Sequence, residues 1–469
     1  MTDKIILAID CGTQSLRGIL FSPRGEVLER VQVEYEPYYS QHPGWAEQDP
    51  EIYWESLANV CQKLKSRNRE LFSTIAGMGV TSQRASMINV DATGTPLRPA
   101  IIWLDQRKAR PVFAHKGLLR LGLKMVNLDA FVLGIQAEGK GSWIRQNQPE
   151  LWEKTHKYLQ VSGFLNFRLT GNFSDSVASQ IGHLPFDYKK QRWAGKHQLA
   201  ARMFPVEMEK LPRIVMPGEV LGTVTSRAAR ATGLKQGLPV IACGSDKGCE
   251  TLGAGVIHQN MASLSFGTTA TIQTTSDRYF EAIRFMPAYP SSAPGLFNAE
   301  VEIFRGFWMI TWFKNQFAHK EVEAAKQAGI PVEEILNRFL ALTEPGAMGL
   351  VVQPYWGPGL DHPKAKGAMI GFGDVHKKAH IYRAVIEGLG FALCEGREKI
   401  EKKTKVKIEK ATVSGGASQS DEICKITADI FNIPMVKGRT HETSGLGAAI
   451  VVAMGLGIYS TLDEAVKNM

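Results

Sequence analysis

Ile5-Ile6-Leu7-Ala8-Ile9-Asp10-Cys11-Gly12-Thr13-Gln14-Ser15-Leu16-Arg17-Gly18-Ile19-Leu20 is the stretch on which the fold turns. An apolar strand delivers a carboxylate into a tight glycine turn, and strand character then resumes. A charge at the end of a buried strand needs partners. Gly12, Thr13, Gln14 and Ser15 supply backbone N–H groups and hydroxyls beside it. Magnesium and phosphate suit such a turn; a ligand-free hairpin is the alternative reading.

The same grammar returns in Asn260-Met261-Ala262-Ser263-Leu264-Ser265-Phe266-Gly267-Thr268-Thr269-Ala270-Thr271-Ile272-Gln273: strand, Gly-Thr turn, strand. Paired hairpins about half a chain apart suggest related lobes, each offering a phosphate-binding turn to a shared cleft. The length of 469 residues exceeds the usual size of a single core, and a hydrophobic content of 44% fills two. No apolar run reaches membrane-spanning length. Apolar residues start at Ile5 and are interrupted at Asp10, which does not read as a signal peptide, so cytoplasmic residence is expected. The six cysteines are scattered without a zinc spacing and read as reduced, buried small hydrophobes. The formal charge of +9 is dispersed, which argues against nucleic acid and suits an anionic nucleotide.

Residues 4–38 read as a three-strand meander, residues 50–71 carry one apolar helical face, and residues 75–81 return as a strand. That is the ribonuclease-H-like order. Residues 110–210 are helix-rich, with Trp143, Trp152 and Tyr158 as core aromatics, and read as an insertion shaping a substrate pocket. The second lobe is read from Gly237 onward, with a helix over 249–256 and a long one over 379–402.

Several groups carry chemistry. Asp246, in Cys243-Gly244-Ser245-Asp246-Lys247-Gly248, stands at a strand end in a glycine-flanked turn, as expected of an acid at a cleft; capping the following helix is the alternative. Gln83 and Arg84, with Trp103, Asp105 and Arg107, pair hydrogen-bonding groups with an aromatic floor, which matches the hydroxyls and the C–H face of a sugar. Gly415-Gly416-Ala417-Ser418-Gln419-Ser420 follows a strand and opens a helix, letting backbone meet a flat base where a Cβ would clash.

Taken together, these motifs resemble the FGGY carbohydrate kinases, of the sugar kinase, actin and Hsp70 superfamily, over essentially the whole chain. The resemblance implies an α/β protein with two ribonuclease-H-like, actin-like ATPase domains around a central cleft. Residues 1–236 would form an N-terminal, mainly sugar-binding domain, and 237–469 a C-terminal, mainly nucleotide-binding one. ATP and Mg²⁺ are the implied cofactors, with Asp10 and Asp246 on the metal. Gly12, Thr13 and Gln14 would meet the transferring phosphoryl group. Gly267, Thr268 and Thr269 would hold the nucleotide phosphates, and Gly415, Gly416 and Ser420 would lie near adenosine. Asp246 would be the general base, Asp10 and Thr13 its catalytic partners, and Gln83, Arg84, Trp103, Asp105 and Asp246 the acceptor site.

The substrate comparison is uneven. Glycerol kinases of the family have Asn-Gln-Arg-Glu where this chain has Ser82-Gln83-Arg84-Ala85, so a glycerol-binding carboxylate is replaced by a methyl group. Xylulokinases have Gly-Gln-Met-His there and are matched only at Gln83. A small ketose such as xylulose is therefore the expected acceptor. Another ketose or polyol, and a non-sugar nucleotide-gated clamp, stay open. The expected partner is a small sugar or polyol, with a homodimer allowed and neither nucleic acid nor membrane expected.

Overall fold

The computed structural model of the protein describes residues 4–111, 125, 129–357 and 364–469. It divides into two compact units. The first comprises Met1–Gly253, Tyr289–Leu296 and Ser444–Met469; the second comprises Ala254–Ala288 and Phe297–Thr443.

In the first unit, β1 (Ile5–Cys11), β2 (Ser15–Phe21) and β3 (Val27–Glu34) form the expected antiparallel meander, followed by α1 (Glu51–Arg67) and β4 (Ile75–Ser82). β1 is apolar except for Asp10 near its end and is fully buried, as a strand covered on both faces must be. With β5 (Val220–Thr223) and β6 (Pro239–Ser245) these strands make one sheet, ordered β5-β6-β4-β1-β2-β3. β4 runs parallel to both β1 and β6, so the carboxyl ends of β1, β4 and β6 lie side by side. Tyr53, Leu57, Val60, Cys61 and Leu64 of α1 pack on the apolar sheet face. Helix α1 stops at Arg67 because Asn68 leaves helical geometry and caps the next short turn, its side chain accepting from Leu71 N.

The domain boundary expected at 236/237 falls inside this unit. β6, read from sequence as opening the second lobe, hydrogen-bonds into the first sheet beside β4, and the unit continues to Gly253. The helix expected over 249–256 is α2 (Asp246–Gly253), which starts earlier because the Ser245 hydroxyl accepts from Gly248 N at 3.2 Å. The carboxyl-terminal residues Ser444–Met469 also belong here. Gly447 is the reason they fit, since a Cβ there would stand 1.9 Å from Cys249 O.

The region expected to be a helical insertion has helices at Asp129–Ala137, Lys140–Asn147, Pro149–Lys154 and Val161–Thr170. It also contributes a strand, Lys157–Gln160, that pairs with Met87–Val90. Residues 112–124 and 126–128 of that region lie outside the described residues. Trp152 and Tyr158 are core aromatics as expected, and Trp143 packs against the same cluster while half-buried.

The second unit has β7 (Met261–Phe266), β8 (Ala270–Ser276), β9 (Phe297–Ile303), β10 (Lys410–Ser414) and β11 (Met435–Lys437), ordered β9-β8-β7-β10-β11. The long helix α3 (Lys378–Thr404) covers its core through Val385, Leu389, Leu393 and Ile400. Helix α4 (Asp421–Phe431) follows β10. Antiparallel β7-β8 and parallel β7-β10 repeat the hairpin-plus-parallel-strand arrangement of β1-β2 and β1-β4. The repeated grammar of the two Gly-Thr turns thus reflects repeated topology.

Candidate active site

Ligands of open α/β sheets bind beyond the carboxyl ends of parallel strands, where side chains and turn backbone project past the sheet. At that edge of the first unit, β1 contributes Asp10 and the turn Gly12–Gln14, β4 contributes Ser82 and leads into Gln83–Ala85, and β6 ends at Ser245 before Asp246. Thr81 Oγ1 donates to Gly244 O at 2.9 Å, tying β4 to β6 just below the edge.

Asp10 is buried and paired in the sheet with Arg17, whose Nη2 lies 3.2 Å from Asp10 Oδ2. This answers the need for a partner, and Arg17 was not singled out from the sequence, although a tight hairpin aligns residues equidistant from its turn. The turn itself is braced from behind. Gly12 N donates to Ser15 O, Tyr35 OH donates to Gly12 O at 2.7 Å, and Gln48 Nε2 donates to Thr13 O at 3.1 Å. Tyr35 and Gln48 carry no local sequence signal, because their role depends on where distant backbone arrives.

Thr13 joins the phosphate-type turn to the acceptor-type residues. Its hydroxyl donates to Gln83 Oε1 at 2.9 Å and accepts from Trp103 Nε1 at 2.9 Å. Gln83 is buried and its amide also donates to Tyr53 OH at 3.2 Å. Trp103 is 47% exposed, so its indole is fixed by the N–H bond while much of the ring stays open to a ligand. Arg84 is half-buried, with its guanidinium carbon 5.5 Å from the Tyr289 ring centroid. Tyr289 reaches the first unit from a segment remote in sequence and was missed.

Asp246 is the first residue of α2, and its Oδ1 accepts from Lys247 N at 2.7 Å. Burial raises its pKa, while the charges of Arg84 and Lys247 and the Lys247 N–H pull it back. A carboxylate so placed is a stronger base than one in water, yet Arg84 keeps it accessible to ionisation. Lys247 itself pairs with Glu250 at 2.7 Å. Ser245 caps α2 through Gly248 N, and the Asp246 carboxylate accepts from the adjacent first-turn N–H of Lys247.

Asp105 differs from its expected place on the acceptor. It is buried, with Oδ1 accepting from Arg107 N and Nε and Oδ2 accepting from Ala46 N and Arg107 Nη2. Both oxygens are saturated, so the carboxylate has no lone pair to offer a sugar hydroxyl. Arg107 in turn pairs with Glu47 at 2.9 Å and lies between the rings of Trp45 and Trp143, at 3.9 and 4.6 Å. The Trp103-x-Asp105-x-Arg107 motif therefore combines one open ring with a buried ionic strut beneath it. Asp175 is a similar strut. It accepts from Ser162, Asn166, Gln180 and Ser176 N, and burial outweighs those bonds to push it up to about 6.

In the second unit, Gly267, Thr268 and Thr269 form the turn between β7 and β8, with Thr268 exposed. Phe307 N donates to Gly267 O and Thr269 Oγ1 to Phe304 O, holding the turn from one side. Gly415 and Gly416 are exposed. Gly415 has φ 85° and a Cβ there would be 2.8 Å from Phe266 C, so only glycine fits; a Cβ on Gly416 would meet nothing within 4 Å. Ser420 departs from the expected adenosine contact. It is buried, donates to Asn337 Oδ1 at 2.7 Å and caps α4 by accepting from Ile423 N.

No group of three or more His, Cys, Asp or Glu side chains able to hold a metal occurs among the described residues. Asp10 and Asp246 nevertheless suit Mg²⁺, which takes one or two carboxylates together with water and phosphate oxygens. Among the described residues no helix is long and apolar enough to cross a membrane.

The chain is similar to known proteins over nearly its whole length. The model for the N-terminal domain of the FGGY family of carbohydrate kinases matches residues 5–253, and that for the C-terminal domain matches residues 262–456. An uncharacterized sugar kinase of Escherichia coli, YgcE, is 29% identical over 470 residues, covering 100% of this chain and 88% of its own. A xylulose kinase of Lactococcus lactis is 27% identical, covering 98% of this chain and 90% of its own. The crystal structure of ligand-bound xylulose kinase from Lactobacillus acidophilus superposes with a TM-score of 0.81 at 21% identity, covering 99% of this chain and 92% of that one.

Proposed function

The chain belongs to the FGGY family of carbohydrate kinases, and from that premise we propose that it transfers the γ-phosphoryl group of ATP in line to a hydroxyl of a small sugar, with Asp246 as the general base. The observation that carries the reading is the convergence of Asp10, Gln83, Arg84 and Asp246 at one sheet edge. Thr13 there is bonded at once to Gln83 and to Trp103.

Phosphoryl transfer asks little covalent chemistry of a protein and much positioning. Asp246 accepts the proton of the attacking hydroxyl, and its desolvation raises its basicity toward that task. Arg84 and Trp103 orient the acceptor, by hydrogen bonding and by contact with its carbon face. The N–H groups of Thr13 and Gln14 meet the transferring phosphoryl group, with the Thr13 hydroxyl held beside it by Gln83 and Trp103. Gly267–Thr269 hold nucleotide phosphates, and Gly415 and Gly416 give the adenosine an unobstructed backbone surface. Mg²⁺, held through Asp10 and Asp246, would offset negative charge on the phosphate oxygens.

Among neutral acceptors a ketose such as xylulose is favoured over glycerol. Ala85 offers a methyl group where glycerol kinases offer a carboxylate, and an acceptor hydroxyl left without its buried partner loses about 1–3 kcal/mol. Arg84 reaches instead toward the carbonyl or a further hydroxyl of a longer chain. The test is a coupled ADP-release screen across ketoses, alditols, aldoses and glycerol, comparing kcat/KM. Glycerol as the best of these substrates refutes the ketose assignment, and ADP release indifferent to every sugar favours the nucleotide-gated clamp instead.

A further inference from the structure

The edge of the second sheet that carries the turn 267–269 also carries an arginine outside the site residues named above. β9 pairs antiparallel with β8, and Ile303 at its end lies opposite Ala270, the first residue after the turn. Phe304-Arg305-Gly306-Phe307 therefore leaves the sheet beside that turn. Bonds on either side of Arg305 fix the segment: Phe307 N donates to Gly267 O at 3.0 Å, and Thr269 Oγ1 donates to Phe304 O at 3.3 Å. Gly306 is required for the approach, since a Cβ there would stand 2.2 Å from Ala270 N. Gly415 reaches the same edge, because the Cβ that it lacks would meet the backbone of Phe266, the residue before the turn.

Arg305 is exposed, and among the described residues its guanidinium makes no hydrogen bond and no ion pair. Its charged end is nevertheless placed. The guanidinium carbon lies over the Trp308 ring, 4.8 Å from the centroid, and Trp308 packs against the core at the start of the helix Trp308–Phe317. A Cβ on Gly357 would be 3.1 Å from Arg305 Cγ, so the glycine there leaves room for the stem. Contact through a ring face leaves the five N–H donors of the fork to other partners. No carboxylate occurs in residues 267–269, 304–308 or 415–416 to take them up.

We propose that Arg305 binds the polyphosphate of the nucleotide beside the turn 267–269, and that this contact sets the preference for a nucleoside di- or triphosphate over the bare nucleoside. This rests on the kinase reading and adds to it a residue that places the phosphate chain. A turn of backbone N–H groups and hydroxyls carries no formal charge, whereas a guanidinium offers a charge and a planar pair of donors that match two phosphate oxygens. Stacking on Trp308 restricts the fork before the ligand arrives, which reduces the ordering cost of binding. In the sequence Arg305 is one of 55 lysines and arginines with no motif around it; the register of β9 against β8 brings it to the phosphate turn.

The test uses the full chain as wild type, Arg305→Met and Arg305→Lys, with ADP and adenosine as probes in the presence of Mg²⁺. The affinity for each probe is read from the concentration dependence of the thermal unfolding midpoint, and that for ADP also by calorimetric titration at low and high salt. Arg305→Met weakens ADP by about 10- to 100-fold, the loss expected for hydrogen bonds between charged groups, leaves adenosine unchanged, and flattens the salt dependence of ADP binding. Arg305→Lys keeps part of the affinity, because it restores the charge without the fork. ADP binding unchanged in Arg305→Met overturns the assignment, and so does an equal loss for ADP and adenosine, which would make Arg305 a packing residue against Trp308. A wild type that binds ADP with this dependence on Arg305 but phosphorylates none of the screened acceptors upholds the contact and overturns the kinase reading.

Discussion

Asp246→Asn separates catalysis from stability in opposite directions. The substitution keeps the shape of the side chain, and the amide oxygen can still accept from Lys247 N as Oδ1 does at 2.7 Å. What disappears is the proton acceptor. General-base catalysis contributes about 10²–10⁴-fold, so turnover falls by that factor, or about 2.7–5.5 kcal/mol in activation free energy. Folding responds differently. Burial raises the Asp246 pKa in the folded state. Its favourable contribution is therefore present below the ordinary carboxylate range and lost as pH rises through the raised value. At neutral pH the ionised group is a net cost that Arg84 and Lys247 only partly offset, and an uncharged amide relieves it. The unfolding midpoint of Asp246→Asn at pH 7 should equal or exceed that of the wild type. The kcat/KM profile of the wild type should fall on the acid side with an apparent pKa above the ordinary 3.8 of an aspartate, and that limb should vanish in the mutant. The assays are ADP release from pH 4.5 to 9 and calorimetry at pH 7. Turnover within a few fold of wild type refutes the base assignment. A clear drop in unfolding midpoint refutes the claim that desolvation dominates the environment of Asp246.

Asp10→Ala should alter the Mg²⁺ dependence of turnover more than thermal stability; equal losses in both with an unchanged metal requirement would make Asp10 a structural partner of Arg17. Asp105→Ala should act through folding, because it leaves Ala46 N without its acceptor and Arg107 with Glu47 as its remaining ion-pair partner; breaking a buried pair costs about 3–5 kcal/mol, read as a lowered denaturant midpoint, and a stable mutant with only a raised sugar KM would restore Asp105 to the acceptor site. Gly415→Ala forces a Cβ to 2.8 Å from Phe266 C at φ 85°, a strain of about 1–3 kcal/mol, and should raise the KM for ATP while lowering stability; unchanged ATP kinetics would remove this turn from the nucleotide site.

Much of the site was legible because turn chemistry is local. Glycine, threonine and a carboxylate at a strand end announce a ligand-binding edge wherever the chain later goes, so Asp10, Thr13, Gln83, Trp103 and Asp246 could be named from sequence. The apolar run of β1 and the face of α1 likewise fixed the ribonuclease-H-like order, since burial periodicity is written in consecutive residues. Partnership across the chain was not legible. That Thr13 bonds both Gln83 and Trp103, that Arg17 pairs Asp10, and that Arg107 saturates Asp105 depend on register and on side chains meeting from separate segments. Ser420 illustrates the same limit, because a serine before a helix reads alike whether its hydroxyl faces a ligand or caps the backbone. The boundary of the first unit is the largest such case. Pro239–Ser245 is an apolar strand that any parallel sheet would accept, and only its hydrogen bonds to β4 assign it to the first. The sequence by itself determined which residues can do chemistry; the tertiary structure decided which are left to do it, because each buried polar atom must first find its hydrogen bond.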